Sequence, residues 1–317
     1  MTSGLIINPR SGRKNGKGVE LAGMLKGKPG VFVHVLEDFP EITGALDSCA
    51  SAGVTDLFIS SGDGTIHEIQ TQLVERKPFP ALPRLALLPH GTTNMTAADI
   101  GFRHKNLAAQ AAFILAPTSG ERQTRPTLRV ANPKDGRPRH GMFLGTGAVW
   151  KATKFCQDAI HRTGLKGDFA TFATLATAVI KSLLTKPNPG DPDRIDRPYA
   201  MTVASGNEVK ASGPQLLLLA TTLDKLILGT RPFWGGKHGP IRATALPYPV
   251  PSIPRWLVPL MYGSEERAHP AGSVSFSTTA FSVAGATPFV IDGEFFDPPE
   301  GDALRVETGS VFTYLRG

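Results

Sequence analysis

The apolar run Leu57-Phe58-Ile59 gives way to Ser61-Gly62-Asp63-Gly64-Thr65, and that run leads into Ile66-His67-Glu68-Ile69. This reads as a strand, a glycine turn and a helix start in direct succession. Glycines allow positive φ and let a ligand approach the backbone closely. The helix start behind them presents unpaired N–H groups to an anion. The same design returns where Leu85-Ala86-Leu87-Leu88 runs into Pro89-His90-Gly91-Thr92-Thr93-Asn94. Two such turns at the ends of two strands restrict the fold to β-turn-α units and point to a polyphosphate site.

The first third of the chain keeps to that plan. Strands are predicted at Leu5–Ile7, Val31–Val35, Leu57–Ile59 and Leu85–Leu88. They alternate with helices at Val19–Leu25, Glu41–Ser51, Ile66–Val74 and Leu107–Leu115. Such alternation implies a parallel sheet with helices on both faces, whose ligands bind at the carboxyl ends of the strands. Asn8-Pro9-Arg10-Ser11-Gly12, followed by Arg13, Lys14 and Lys17, ends the first strand at that same edge.

Beyond Pro117 the texture changes. Short, partly alternating runs at Thr127–Val130, His140–Leu144, Tyr199–Ala204, Gln215–Ala220, Ser273–Ser277 and Phe281–Val283 predict an antiparallel β domain. Helices are expected within it at Lys151–Arg162 and Phe169–Leu184, and a loop at Pro187–Pro198. A chain of 317 residues exceeds the usual single domain. The expected division is an α/β domain at 1–118, to which residues 310–317 return, and a β-rich domain at 119–309.

The net charge of +7 suits anionic partners: nucleotide phosphates, a phospholipid surface or nucleic acid. The cations are scattered and no nucleic-acid module is recognisable, so nucleic acid is not an expected partner. Cys49 and Cys156 lie far apart without metal-ligand spacing, and read as reduced thiols of a cytoplasmic protein. The start of the chain is too short and uncharged for a signal peptide. No run is apolar enough to span a bilayer, so any membrane contact should be peripheral.

Each constellation also has a plain structural reading. Asp63 suits Mg²⁺, directly or through water, with Thr65 capping the helix; a solvated acid in a capped turn would look the same. Asn94, Asn8 and Ser11 offer hydrogen bonds to a nucleotide, or close ordinary loops. Asp292-Gly293-Glu294, just after Phe289-Val290-Ile291, offers a proton acceptor and a metal ligand, yet Asp-Gly is also the usual hairpin signal. Arg255-Trp256-Leu257-Val258-Pro259-Leu260-Met261-Tyr262 mixes cation, aromatics and aliphatics as membrane interfaces do, although a buried helix is the favoured reading.

Taken in order, the four motifs resemble the diacylglycerol kinase catalytic-domain family, which includes bacterial lipid kinases, sphingosine kinases and ceramide kinases. That resemblance implies an α/β N-terminal domain with a parallel sheet of the NAD-kinase and diacylglycerol-kinase type, followed by a mainly antiparallel β domain. It implies ATP on Asn8, Ser11, Gly62, Gly64, Thr65, Glu68, Gly91, Thr92 and Asn94. It implies Asp292 as the base toward a lipid hydroxyl, with Glu294 and Asp63 holding Mg²⁺ and Asp63 as rival base. The implied partners are a lipid with a free hydroxyl and a peripheral membrane surface; a homodimer is left open. Ser61 departs from the family's glycine, His90 from its Leu or Gly, and Met95 from the Asp of many bacterial relatives. The stretch Thr222–His238 lacks an expected glycine-rich pattern. NAD kinase shares the Gly62–Thr65 pattern, and a catalytically silent nucleotide- or lipid-binding relative is the other alternative.

Overall fold

The computed structural model describes residues 2–11, 16–91, 94–117, 121–163, 194–285 and 287–317. The expected helix Phe169–Leu184, and Thr92 with its neighbour Thr93, lie outside them. The chain divides into two compact units, Met1–Thr127 with Ser310–Gly317, and Leu128–Gly309. The first junction thus falls inside a strand, after Thr127, and not at residue 118.

In the first unit, β1 (Thr2–Ile7), β2 (Val31–Val35), β3 (Val54–Ser61) and β4 (Arg84–Pro89) pair in parallel, in the order β4-β3-β1-β2. Helices α1 (Gly16–Leu25), α2 (Ile42–Ser51), α3 (Asp63–Glu75), α4 (Met95–Ile100) and α5 (Leu107–Leu115) connect and follow them. The short α4, directly after Asn94, is absent from the sequence reading, because six residues carry too little periodicity to register. The core joins Leu5, Ile7, Phe58, Ala86 and Leu88 to Leu21, Leu25, Phe113 and Ile114. Asp56 and Arg84 are register partners on β3 and β4, and their side chains form a bidentate ion pair at 2.5 and 2.7 Å with Asp56 fully buried. That pair pins the strands against slippage, which would strand a charge in the interior. Cys49 is buried, and burial pushes its thiol up to about 12, so it is unreactive.

The second unit is antiparallel. β7 (Phe143–Gly147), β8 (Tyr199–Ser205), β9 (Glu208–Thr221), β12 (Ala280–Ala284), β13 (Phe289–Ile291) and β14 (Glu294–Phe296) run in the order β14-β13-β7-β9-β8-β12. β10 (Ile241–Pro247) pairs with β9 and with β11 (Val274–Thr278). β5 (Arg122–Val130) meets β6 (Arg139–Gly141), and β15 (Leu304–Leu315) meets β12. Leu144, Val203, Leu218, Ala243 and Phe289 are among the apolar side chains of its core. α6 (Ala148–Thr163) follows β7, and α7 (Ile253–Met261) precedes β11. The sequence favoured a buried helix at Arg255–Tyr262. The helix forms, but none of its residues is buried.

β5 and β15 each supply residues to both units. At its far end β15 joins the first unit, where Tyr314 pairs in parallel with Leu85 of β4. There the Gln70 amide donates to the Tyr314 hydroxyl at 2.6 Å in the interior. Tyr314→Phe leaves that buried donor without its acceptor and should cost about 1–3 kcal/mol. The check is a lower urea midpoint with an unchanged slope.

Candidate active site

Register brings three loops to one edge. Ile7 lies beside Ser60, and Ser60 beside Leu88, so the chain leaves β1, β3 and β4 at one level. Asn8, Gly62 and Gly91 follow at once. The expected use of the glycines is corrected here: Gly62 sits at φ −92° and ψ 175°, and neither Gly64 nor Gly91 has a positive φ. Glycine is needed for room. A Cβ on Gly91 would overlap the Gly62 Cα and lie 2.8 Å from the Gly62 nitrogen. The two turns therefore pack backbone on backbone.

Side chains lock this contact. Asp63, the first residue of α3, turns its carboxylate to the start of α4. Its Oδ2 accepts the Met95 N–H at 3.0 Å and its Oδ1 the Thr96 N–H at 3.1 Å. Asn94 precedes α4 in the left-handed region at φ 48° and makes no cap bond of its own. Its amide closes on Gly91 instead, with Oδ1 accepting the Gly91 N–H at 2.8 Å and Nδ2 donating to the Gly91 carbonyl at 2.7 Å. The role expected of Thr65 is also corrected. The N-cap of α3 is Gly62, and Thr65 Oγ1 accepts from the Asn8 amide at 2.9 Å. Asn8 Oδ1 accepts the Arg10 N–H at 2.9 Å, and Ser11 Oγ donates to the Asn8 carbonyl at 2.9 Å. Glu68, half-buried on α3, accepts from Gln72 at 2.7 Å.

Ser61, in the place of a glycine, keeps a negative φ, and its buried Oγ has no hydrogen-bond partner. Burial pushes the Asp63 carboxyl up from its ordinary value, while the N–H groups of Thr96 and Met95 pull the other way. His90 was noted in the sequence only as a departure. In the fold its Nδ1 lies 2.8 Å from Ser60 Oγ, and burial, aided by the charge of Lys17, pushes the imidazole down to about 4. It is neutral near pH 7. No local motif signals this, because the Ser60 contact comes from the neighbouring strand.

In the second unit Asp292-Gly293 forms the two-residue turn between β13 and β14, with Ile291 opposite Glu294. Both turn residues have positive φ, 47° and 93°, as a tight hairpin of this kind requires. The Asp292 carboxylate is buried, accepting the Met142 N–H at 2.8 Å and the Phe143 N–H at 2.9 Å. Glu294 is exposed. Gln157 of α6 donates to the Gly293 carbonyl at 3.1 Å. Beside this turn opens a cavity of about 730 Å³ lined by Trp150, Lys154, Gln157, Phe295 and Phe296, among others.

Among the described residues no group of three or more His, Cys, Asp or Glu forms a metal cage. Asp63, with both oxygens on backbone amides, does not fit as a ready metal ligand. The nucleotide fit is better: a helix start, converging loops and the unpartnered Ser61 hydroxyl all lie at one edge.

This geometry has relatives. Residues 2–120 match the family described as the diacylglycerol kinase catalytic domain. Over 99 residues the chain is 31% identical to "Probable lipid kinase YegS" of Escherichia fergusonii, a match spanning 31% of this chain and 32% of that protein. The whole chain also superimposes on the crystal structure of a diacylglycerol kinase from Bacillus anthracis, with a TM-score of 0.64 at 15% identity and 97% of that chain covered. At that identity the likeness shows the fold, two domains of the kind found here. Among the described residues no helix is long and apolar enough to cross a membrane.

Three outcomes test this local account. Gly91→Ala must force the turns apart and should cost about 2 kcal/mol or more in chemical denaturation. Gly23→Ala, in open space within α1, should stabilise by about 0.5–1 kcal/mol. Because the folded pKa of His90 is depressed, the unfolded chain binds the extra proton between pH 6.5 and about 4. Thermal stability should therefore fall as pH drops through that window, and His90→Gln should flatten the fall.

Proposed function

We propose that the chain is an ATP-dependent lipid kinase that transfers the γ-phosphate to a lipid hydroxyl of diacylglycerol-like or sphingoid type. The observation that carries this reading is the backbone contact of Gly62 with Gly91 at the edge of a parallel sheet, within the segment that matches the catalytic domain. The triphosphate lies against the start of α3, where backbone N–H groups and the helix dipole favour negative charge. Ser61 Oγ is an unused donor there. Asn8 ties the first turn to the second through Thr65, and Asn94 shapes the third.

On the acceptor side, Asp292 takes the proton of the lipid hydroxyl as its oxygen attacks the γ-phosphorus. A new P–O bond forms, the bond to the β-phosphate oxygen breaks, and ADP leaves with that electron pair. The Met142 and Phe143 N–H groups aim this carboxylate. When bound with the nucleotide, Mg²⁺ would supply neutralisation of the phosphoryl charge.

One observation favours a second reading. Asp63 and Asp292 each use both oxygens on backbone amides, as purely structural acids do. A relative that binds nucleotide and lipid without turnover would keep these contacts.

The test is transfer of labelled γ-phosphate from ATP with Mg²⁺ onto diacylglycerol, monoacylglycerol, phosphatidylglycerol, sphingosine or ceramide in mixed micelles, with NAD in a parallel arm. Label should enter one lipid. Asp292→Asn, which keeps a residue tolerant of the left-handed turn, should lower turnover by about 10²–10⁴. Wild-type turnover in that variant removes Asp292 as the base. ATP binding with no labelled lipid supports the second reading, and label in NAD alone makes the chain a soluble-substrate kinase.

A further inference from the structure

α7 has two unlike faces. Ile253, Trp256 and Leu260, at helical spacing, pack on a cluster with Leu246 and Val250. The other face turns Leu257 and Val258 to solvent, 43% and 61% exposed, and Tyr262 just past the helix is 43% exposed. A neighbouring loop adds to this. Its Leu226 N–H bonds the Thr230 carbonyl at 2.8 Å, and its tip carries Ile227 and Leu228, 55% and 66% exposed. The stem of that loop is fastened to the end of α7: the Arg231 N–H donates to the Met261 carbonyl at 2.7 Å, and the Gly263 N–H to the Arg231 carbonyl at 2.9 Å.

The tip is costly. Leu228 stands at φ 56°, a region that branched and bulky side chains avoid, while its side chain is mostly exposed. An apolar patch of this kind, assembled from two segments, marks a contact surface. Its surroundings indicate the kind of contact. Lys225, Arg231, Arg255 and Arg267 are all exposed around it, and the Arg255 guanidinium lies 5.2 Å above the Trp256 ring. Asp224, beside Lys225 in the chain, is engaged by Arg242 at 3.1 Å, and Glu265 and Glu266 come only after the turn at Gly263. Aliphatic tips, interfacial aromatics and a cationic rim complement the interfacial zone of an anionic bilayer.

We infer that α7 and the Leu226–Thr230 loop form the membrane-docking surface of this chain, inserting Leu228, Leu257 and Val258 among anionic phospholipids. This deepens the lipid-kinase reading by assigning the place where the chain meets its acceptor's membrane. Docking needs neither ATP nor turnover, so the two can fail separately.

The experiment is flotation of the whole chain, without nucleotide, on vesicles of phosphatidylcholine alone and of phosphatidylcholine with phosphatidylglycerol. Quenching of tryptophan by brominated acyl chains is read in parallel. The wild-type chain should float with the anionic vesicles and show quenching. Leu228→Gln and Leu257→Gln should each weaken binding about tenfold. Arg255→Gln with Arg231→Gln should lower it most on the anionic vesicles and less at high salt. Circular dichroism and thermal melting confirm that each variant is folded. Label transfer to a water-soluble short-chain acceptor should stay at the wild-type level in all of them; if it is absent from the wild-type chain while flotation succeeds, the kinase reading fails and the docking surface stands. Vesicle binding unchanged in folded variants, or no wild-type binding to either vesicle, overturns the inference. So does a dimer that these variants dissolve in a chain that does not bind vesicles.

Discussion

A single carboxylate joins the two glycine turns. Asp63 begins α3, and its oxygens hold the first two N–H groups of α4, 32 and 33 residues further on. A helix of six residues whose own N-cap is left-handed has little to nucleate it, and the borrowed cap supplies what Asn94 does not. With α4 seated, Gly91 is brought against Gly62 at a separation that excludes any side chain. The sheet sets this up. The Asp56–Arg84 pair holds β3 and β4 in the register that ends both strands at one level.

The second unit solves a similar problem in the same way. Asp292 also points inward and accepts two consecutive backbone N–H groups from a distant segment, Met142 and Phe143. Each aspartate thus acts first as a clamp on two consecutive backbone N–H groups of a distant segment. A clamped carboxylate is also an aimed one, because its rotamer is no longer free. The neutral His90 complements this: an imidazole hydrogen-bonded to Ser60 fills its place without adding charge to the edge.

Much of this was legible in the sequence. The parallel β-turn-α plan, the antiparallel remainder and the clustering of three loops all follow from periodicity and from where the glycines fall. Three points were not. The glycines suggested unusual dihedrals, but they serve close packing between turns, which depends on a residue from another strand. Asp63 and Thr65 resemble a ligand and a cap because their partners, Met95, Thr96 and Asn8, are remote in sequence. The apolar content of Arg255–Tyr262 predicted burial, yet composition does not tell which face of a helix has something to pack on.

The route of the chain has a consequence for its synthesis. The parallel sheet is laid down first, but its outer neighbour on the β4 side, the end of β15, comes last. Until Tyr314 leaves the ribosome, Leu85 lacks its strand partner there and the buried amide of Gln70 lacks the Tyr314 hydroxyl. The whole of the second unit is made in between. The nascent first unit therefore waits as an open-edged sheet, and it is the far end of β15 that closes it. A ribosome that stops before Tyr314 releases a chain with every loop of the candidate site and an unsealed fold beneath them.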